Sequence, residues 1–343
     1  MRLQRSGAGF KIVSLSSAKI TPAFKPIVDG GYLRLVGRTP LKSREFLIFR
    51  LKTRLFMTQP PFKTLLIGFA FSPNLKANVY EAMRLACFFK ARLLFLHVGE
   101  KTPQKEKAFS ALLAQCPDRP QSISIFWESG APVTVLLNAC KTHKVDLLLL
   151  GALKRENVLK YYLGSIARKL TQNASCSVLL MLHPSVERVP CEHIVVNGLE
   201  NSETINTIEK GFYVAHELAA KKITLVEEIK DSDVAVTVSD DRSLRRATLK
   251  KQKLQRKEQL RVSDIVARLP DDLKDGVQWQ TQSIFGKQGY SISHYARLVR
   301  ADLLITNNPI KKGLFSRLFS NDLGHVLMEL PTNVLIVNQT SYA

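Results

Sequence analysis

The sequence predicts an α/β protein built as two tandem, doubly wound parallel-sheet domains of five strands each, behind a basic N-terminal segment. Three observations carry this reading. Short apolar runs alternate with helical patterns, the alternation occurs twice, and the second occurrence matches the first at fixed spacings. The chain has 343 residues, enough for two domains of about 150. With 45% apolar and 23% charged residues it reads as a globular chain with a core, which excludes disorder as its dominant state. No apolar run approaches the roughly eighteen residues that a membrane span requires, so no membrane role is expected.

Each copy reads strand, helix, strand, variable segment, strand, helix, strand, loop, helix, strand. The first strand covers 62–68, an apolar run closed by Gly68, and its counterpart covers 193–198. Helical periodicity follows over 77–89 and 203–219. Second strands are expected at 91–98 and 222–226, and third strands at 123–127 and 278–284. Fourth strands open on an aspartate, at Asp146 and Asp302, and continue Leu-Leu. The last strands, 177–182 and 333–337, are apolar and are expected at sheet edges, where a bare edge invites pairing. Leu65, Ile67 and Leu94 match Ile194, Val196 and Ile223 at an offset of 129, whereas Asp146 and Val178 match Asp302 and Val334 at 156. The second copy therefore carries 27 extra residues, between about 228 and 277. Unbroken apolar runs mean strands buried on both faces, and right-handed crossovers then wind helices onto each side. The domains are placed at 61–182 and 191–338, joined by a linker at 183–190 that holds Pro184 and Pro190.

Charge is unevenly spread. Lys and Arg number 50 against 29 acids, a net +21. Residues 1–56 hold twelve basic residues and only Asp29 and Glu45 as acids, so nearly half the excess sits in one sixth of the chain. Lys11 and Lys19 interrupt every candidate signal-peptide centre, and no clean amphipathic helix supports an organellar address. Residues 1–60 are therefore expected to be a disordered basic extension, or sequence ahead of a start at Met57. A second concentration, nine Lys or Arg over 242–261, lies in the insertion. Leu244, Ala247, Leu254, Val262 and Ile265 trace a broken helical stripe there, so one face docks and the other is solvated. Nucleic-acid association through this helix is an alternative function, though no aromatic residues interleave to stack bases. Cys87, Cys116, Cys140, Cys176 and Cys191 show neither a CxxC nor metal-ligand spacing, which fits free thiols in a reducing, cytoplasmic setting and no metal site.

In open doubly wound sheets ligands bind beyond the carboxyl ends of the strands, where the winding direction reverses. Here those ends are Gly68-Phe-Ala-Phe-Ser72 and Gly151-Ala-Leu-Lys154. Gly151 admits a close approach of backbone to ligand. Gly164 and Ser165 open the next helix with free N–H groups and a hydroxyl, a phosphate-binding arrangement. The candidate nucleotide-binding residues are Gly68, Gly151, Lys154, Gly164 and Ser165.

After the fourth strand, the spacing Gly, two residues, Gly, nine residues, Gly-Ser/Thr resembles the nucleotide loop of the universal stress protein family. Gly151, Gly164 and Ser165 stand at its first, third and fourth places, and residues 173–181 resemble that family's closing strand. The resemblance covers roughly 61–182 and 191–338. It implies a HUP-type fold, like that of the adenine-nucleotide α-hydrolases, with the two copies packed as an internal pseudo-dimer. It further implies a non-catalytic regulatory or interaction role in stress, an unidentified protein partner, and ATP or AMP as ligand. The departures narrow this. Lys154 occupies the second glycine place, where it offers a phosphate a point charge, and Ala70 replaces the family's acid after the first strand. In the second copy Asn307, Ile310, Ser320 and Asn321 occupy the loop places, and Leu199 that of the acid. The second site is expected to be inactive and the first a weak one. A nucleotide-hydrolysing or adenylate-transferring enzyme on the same scaffold is the other alternative. It would need metal-holding carboxylates or an acid/base pair beside the loop, where Glu156 stands without a partner.

Overall fold

The structure, a computed structural model, describes residues 59–151, 153–154, 161–234, 237, 239–307, 321–328 and 330–338, together with four strand segments within residues 1–37. Residues 1–58 form a unit of their own. In it Arg2–Ser6 pairs antiparallel with Gly9–Ser14, and Phe24–Asp29 with Tyr32–Gly37. These segments depart from the expected disorder. Apolar and polar residues alternate along them, and Gly7-Ala8 and Gly30-Gly31 stand between the paired strands, which is the sequence signal of a hairpin.

In the second unit the chain follows the predicted order. The first half contains β1 (Thr64–Phe69), α1 (Leu75–Phe88), β2 (Arg92–Val98), α2 (Pro103–Gln115) and β3 (Ile123–Glu128). It continues with α3 (Pro132–Thr142), β4 (Leu147–Gly151), α4 (Ser165–Asn173) and β5 (Ser177–Met181). The second half contains β6 (His193–Asn197), α5 (Thr204–Leu218), β7 (Lys222–Lys230), α6 (Asp241–Ala267) and β8 (Gln278–Gly286). It ends with α7 (Tyr290–Leu298), β9 (Leu303–Asn307), α8 (Asn321–Met328) and β10 (Asn333–Val337). Helix α2 lies in what the sequence marks only as a variable segment. Thr102 caps it, Pro103 starts it, and Phe109 is its one buried residue, so its apolar periodicity is too faint to read.

All ten strands form one continuous sheet in the order β3-β2-β1-β4-β5-β10-β9-β6-β7-β8. This corrects the expectation of two separate five-strand layers; β5 and β10, expected at sheet edges where a bare edge invites pairing, pair with each other inside one sheet. Within each half every pairing of this sheet is parallel, and the order β3-β2-β1-β4-β5 recurs as β8-β7-β6-β9-β10. Between the halves β5 and β10 pair antiparallel, Val178 with Ile336, Leu179 with Leu335 and Leu180 with Val334. The physical reason lies in the strands themselves. Every residue of β5 is buried, and an edge strand would leave a row of peptide N–H and C=O groups without partners in that apolar setting. Each strand supplies what the other lacks.

The repeated aspartate has a structural purpose. Asp146 Oδ2 accepts from the backbone N–H groups of Lys63 and Thr64, both at 3.0 Å, and so ties the start of β1 to the start of β4. Asp302 Oδ2 does the same for β6, accepting from Glu192 at 2.8 Å and His193 at 2.9 Å. One apolar cluster crosses the seam. It joins Leu136, Ala139 and Leu170 of the first half to Ile292, Val326 and Leu327 of the second, over the strand residues Leu148, Leu180, Leu304 and Val334. Helices α1 and α5 cover the other face, where Phe62 packs between Phe89 and Tyr213 at centroid distances of 5.4 and 6.1 Å. No helix among the described residues is long and apolar enough to cross a membrane.

Candidate functional site

The parallel register aligns Ile67 with Leu149, which brings the end of β1 level with Gly151 at the end of β4. This is the predicted crevice of the first half. Gly151 is exposed there, and a Cβ on it would lie 3.2 Å from Asn78 Oδ1 of α1. That oxygen is buried and accepts no hydrogen bond. Helix α4 runs back toward the start of β5, so Gly164 and Ser165 open it on the same side as the strand ends, with Ser165 exposed. Gly164 has φ −59° and ψ 160°, which any residue can adopt, so the glycine answers no backbone need at that position. Lys154 pairs its backbone with Tyr161, while its side chain, Glu156 and the rest of 155–160 lie outside the described residues. Gly68 has a different use from the one expected. A Cβ on it would meet Leu136 Cδ2 at 3.0 Å, so its absence lets α3 settle against β1.

Beside Ala70 the structure assembles a group of aromatic residues that the sequence does not announce. Phe69 stacks on Phe109 at 4.0 Å with the rings 9° apart, and Phe71 lies 6.4 Å from Trp127 at 23°. His97 fills the space between them, with its Nδ1 at 3.0 Å from the Phe69 carbonyl oxygen. It is therefore a buried structural histidine, as its place at the end of a strand suggests. Phe71, just past the end of β1, is 41% exposed. The available signal was an aromatic or histidine residue near the end of each of the first three strands, but the contributors lie far apart in the chain.

The equivalent region of the second half is closed by its own side chains. Asn201 and Asn307 exchange amide hydrogen bonds at 3.3 and 3.1 Å, and Asn307 Nδ2 also donates to Thr207 Oγ1 at 2.9 Å. Asn197 Nδ2 donates to Thr306 Oγ1 at 3.3 Å, and its Oδ1 accepts from the Leu199 N–H at 2.9 Å. Ile310 and Ser320 lie outside the described residues, as does the side chain of Asn321. Over the ends of β6 and β7 sits the inserted helix. Val262 and Val266 of α6 are buried, Val262 approaches Gly198, and Arg261 donates to the Gly198 carbonyl at 2.5 Å. Only the last turns of α6 dock in this way. Leu244 is 52% exposed, so the predicted stripe does not bury its early members and most of the basic stretch is solvated.

Under α6, Glu227 is almost completely buried. Its Oε2 accepts from Ser283 Oγ at 3.0 Å, its Oε1 has no partner, and burial pushes its carboxyl up to about 7, against the pull of Arg261. Its neighbour Glu228 caps α7, accepting from the N–H groups of Gly289 and Ile292 at 2.8 Å each. Among the described residues no cluster of His, Cys, Asp and Glu could hold a metal ion. Cys176 lies against Cys140, whose hydrogen bond, together with burial, holds the Cys176 thiol well above the usual range.

Two solved structures share this fold. A functionally unknown protein from Pseudomonas aeruginosa PAO1, 15% identical, aligns over 81% of this chain and 93% of its own with a TM-score of 0.57. A universal stress protein from Archaeoglobus fulgidus DSM 4304, 14% identical, aligns over 82% of this chain and 99% of its own, also with a TM-score of 0.57. No curated protein matches the sequence significantly. The sequence profile of the universal stress protein family matches residues 99–181. That segment runs from α2 through β5, and takes in Gly151, Gly164 and the strand that closes the first half; over it, the chain is similar to the universal stress protein family.

Proposed function

We propose that the protein is a non-catalytic regulatory or interaction module of the cytoplasm, with a weak ATP or AMP site in its first half alone. We read the two halves as fused copies of one module, joined as an internal pseudo-dimer through β5 and β10 and offered to a protein partner. The observation that carries the site assignment is the contrast between the two crevices. In the second half the polar groups that could meet a nucleotide are consumed by one another, and α6 covers the strand ends. In the first half Gly151, Ser165 and Phe71 are all exposed. Ala70 cannot replace the hydrogen bonds of an acid, a loss of about 1–3 kcal/mol. Stacking of the base on Phe71 and Trp127 offsets part of that, since stacking contributes about 1–3 kcal/mol per base.

Calorimetric titration of the full chain with ATP and with AMP tests the reading. Saturable binding at one site is expected, abolished by Gly164→Val, whose backbone is undemanding, and weakened about tenfold by Phe71→Ala. Equal affinity in the Gly164→Val variant, or a second site of similar strength, would overturn the assignment.

A further inference from the structure

We propose that the cavity at the seam between the two halves binds a small amphipathic anion, an apolar body ending in a carboxylate. The cavity measures about 220 Å³, more than the roughly 150 Å³ of an apolar cavity that accommodates benzene. It lies on the face of the sheet covered by α1 and α5, bounded by the 183–190 linker, with Met181 at the end of β5, Leu303 at the start of β9 and Asn333 at the start of β10 among its walls. Its described lining includes none of Gly68, Gly151, Gly164 and Ser165, so it is a separate site and does not depend on the nucleotide reading.

Its interior is apolar, with Leu85, Phe88, Leu179, Val214 and Leu335 among its walls. Each Å² of apolar ligand surface taken from water there contributes about 25 cal/mol. The charged groups inside are already engaged. Arg84 donates to Glu81 at 2.7 Å and to the Val186 carbonyl at 2.7 Å, while the Asp302 carboxylate accepts the two backbone N–H groups that hold β6. Burial raises the Glu81 carboxyl, and burial beside Asp302 and Glu81 pushes the Cys191 thiol up to about 12, so the thiol adds no charge of its own.

Arg188 differs from these groups. It is exposed on the linker at the cavity mouth, its guanidinium lies 4.9 Å from the centroid of the Phe88 ring, and it makes no ion pair among the described residues. A planar cation held over an aromatic wall is placed to take a carboxylate while the attached chain enters the cavity. The complement is an anionic head at Arg188 and an apolar tail between the halves.

Octanoate, octylamine and octanol serve as probes in calorimetric titrations of the full chain. Octanoate is expected to saturate a single site and to bind more tightly than octanol or octylamine. Arg188→Ala should weaken it about three- to tenfold, and Val214→Phe, which fills the cavity, should abolish binding. Should Val214→Phe fail to fold, hydrogen exchange on the wild type decides: octanoate must slow exchange over residues 184–191. The proposal is overturned by an absence of saturable octanoate binding, by octylamine binding as tightly, by full affinity in a folded Val214→Phe variant, or by unchanged exchange over 184–191.

Discussion

Glu227 makes the stability of the second half depend on pH in a direction opposite to that of most carboxylates. Its side chain is 1% exposed, holds one hydrogen bond, from Ser283, and leaves Oε1 without a partner. Burial lifts its pKa from 4.5 to about 7. Because the folded value is the higher one, the folded protein binds more protons between those two values, and stability falls as pH rises through that window. Below about pH 4.5 the group is neutral in both states and contributes no penalty; above about pH 7 the full penalty of a buried carboxylate applies. A shift of this size corresponds to about 3 kcal/mol. Glu227→Gln keeps the shape and the Ser283 contact while removing the ionisation. The variant is therefore expected to be more stable than the wild type by about 2–3 kcal/mol at pH 8 and by less than about 1 kcal/mol at pH 5. Urea unfolding followed by circular dichroism at pH 5, 6, 7 and 8 measures the difference directly, free of the other titrating groups the two proteins share. If that difference stays flat from pH 5 to 8, or the glutamine variant is the less stable at pH 8, the account of a carboxyl held in its neutral form by burial is wrong.

Two further outcomes follow from the sheet. Asp146→Ala removes the acceptor of two backbone N–H groups at the start of β1 and is expected to cost about 1–3 kcal/mol, read as a lowered midpoint in thermal or urea unfolding; a change below about 0.5 kcal/mol would deny the aspartate its clamping role. Leu180→Ala empties a fully buried position on β5 and should cost about 2–5 kcal/mol. Since one apolar cluster spans the seam, the loss should shift a single transition of residues 59–343, whereas two resolved transitions with only one displaced would show that the halves unfold independently.

Local pattern carried most of the fold into the sequence. Apolar runs such as Leu147–Gly151 and His193–Asn197 declare themselves as strands because both of their faces are buried. The recurring Asp-Leu-Leu at 146 and 302 marks a clamp that each half needs once. The glycines at 151 and 164 stand at the carboxyl ends of the first half's strands, where crevices form as winding reverses.

Where a contact joins distant parts of the chain, periodicity is silent. The pairing of β5 with β10 links residues more than 150 positions apart, and an apolar strand looks the same in sequence whether it ends a sheet or continues one. Nothing local says that α6 docks by its last turns, so the burial of Glu227 and the covering of the ends of β6 and β7 could not be read in advance, although the residues that replace the loop glycines already argue against a second site. The aromatic group around His97 and the cavity beneath Arg188 are likewise made of residues from several elements, each unremarkable in its own segment. By itself the sequence determined which segments are strands and helices and their succession along each half, because hydration and backbone sterics act residue by residue. Tertiary structure alone decided that the two layers merge into one and that α6 covers the ends of β6 and β7, because unpaired edges and buried charges find their partners only when the whole chain has been brought together.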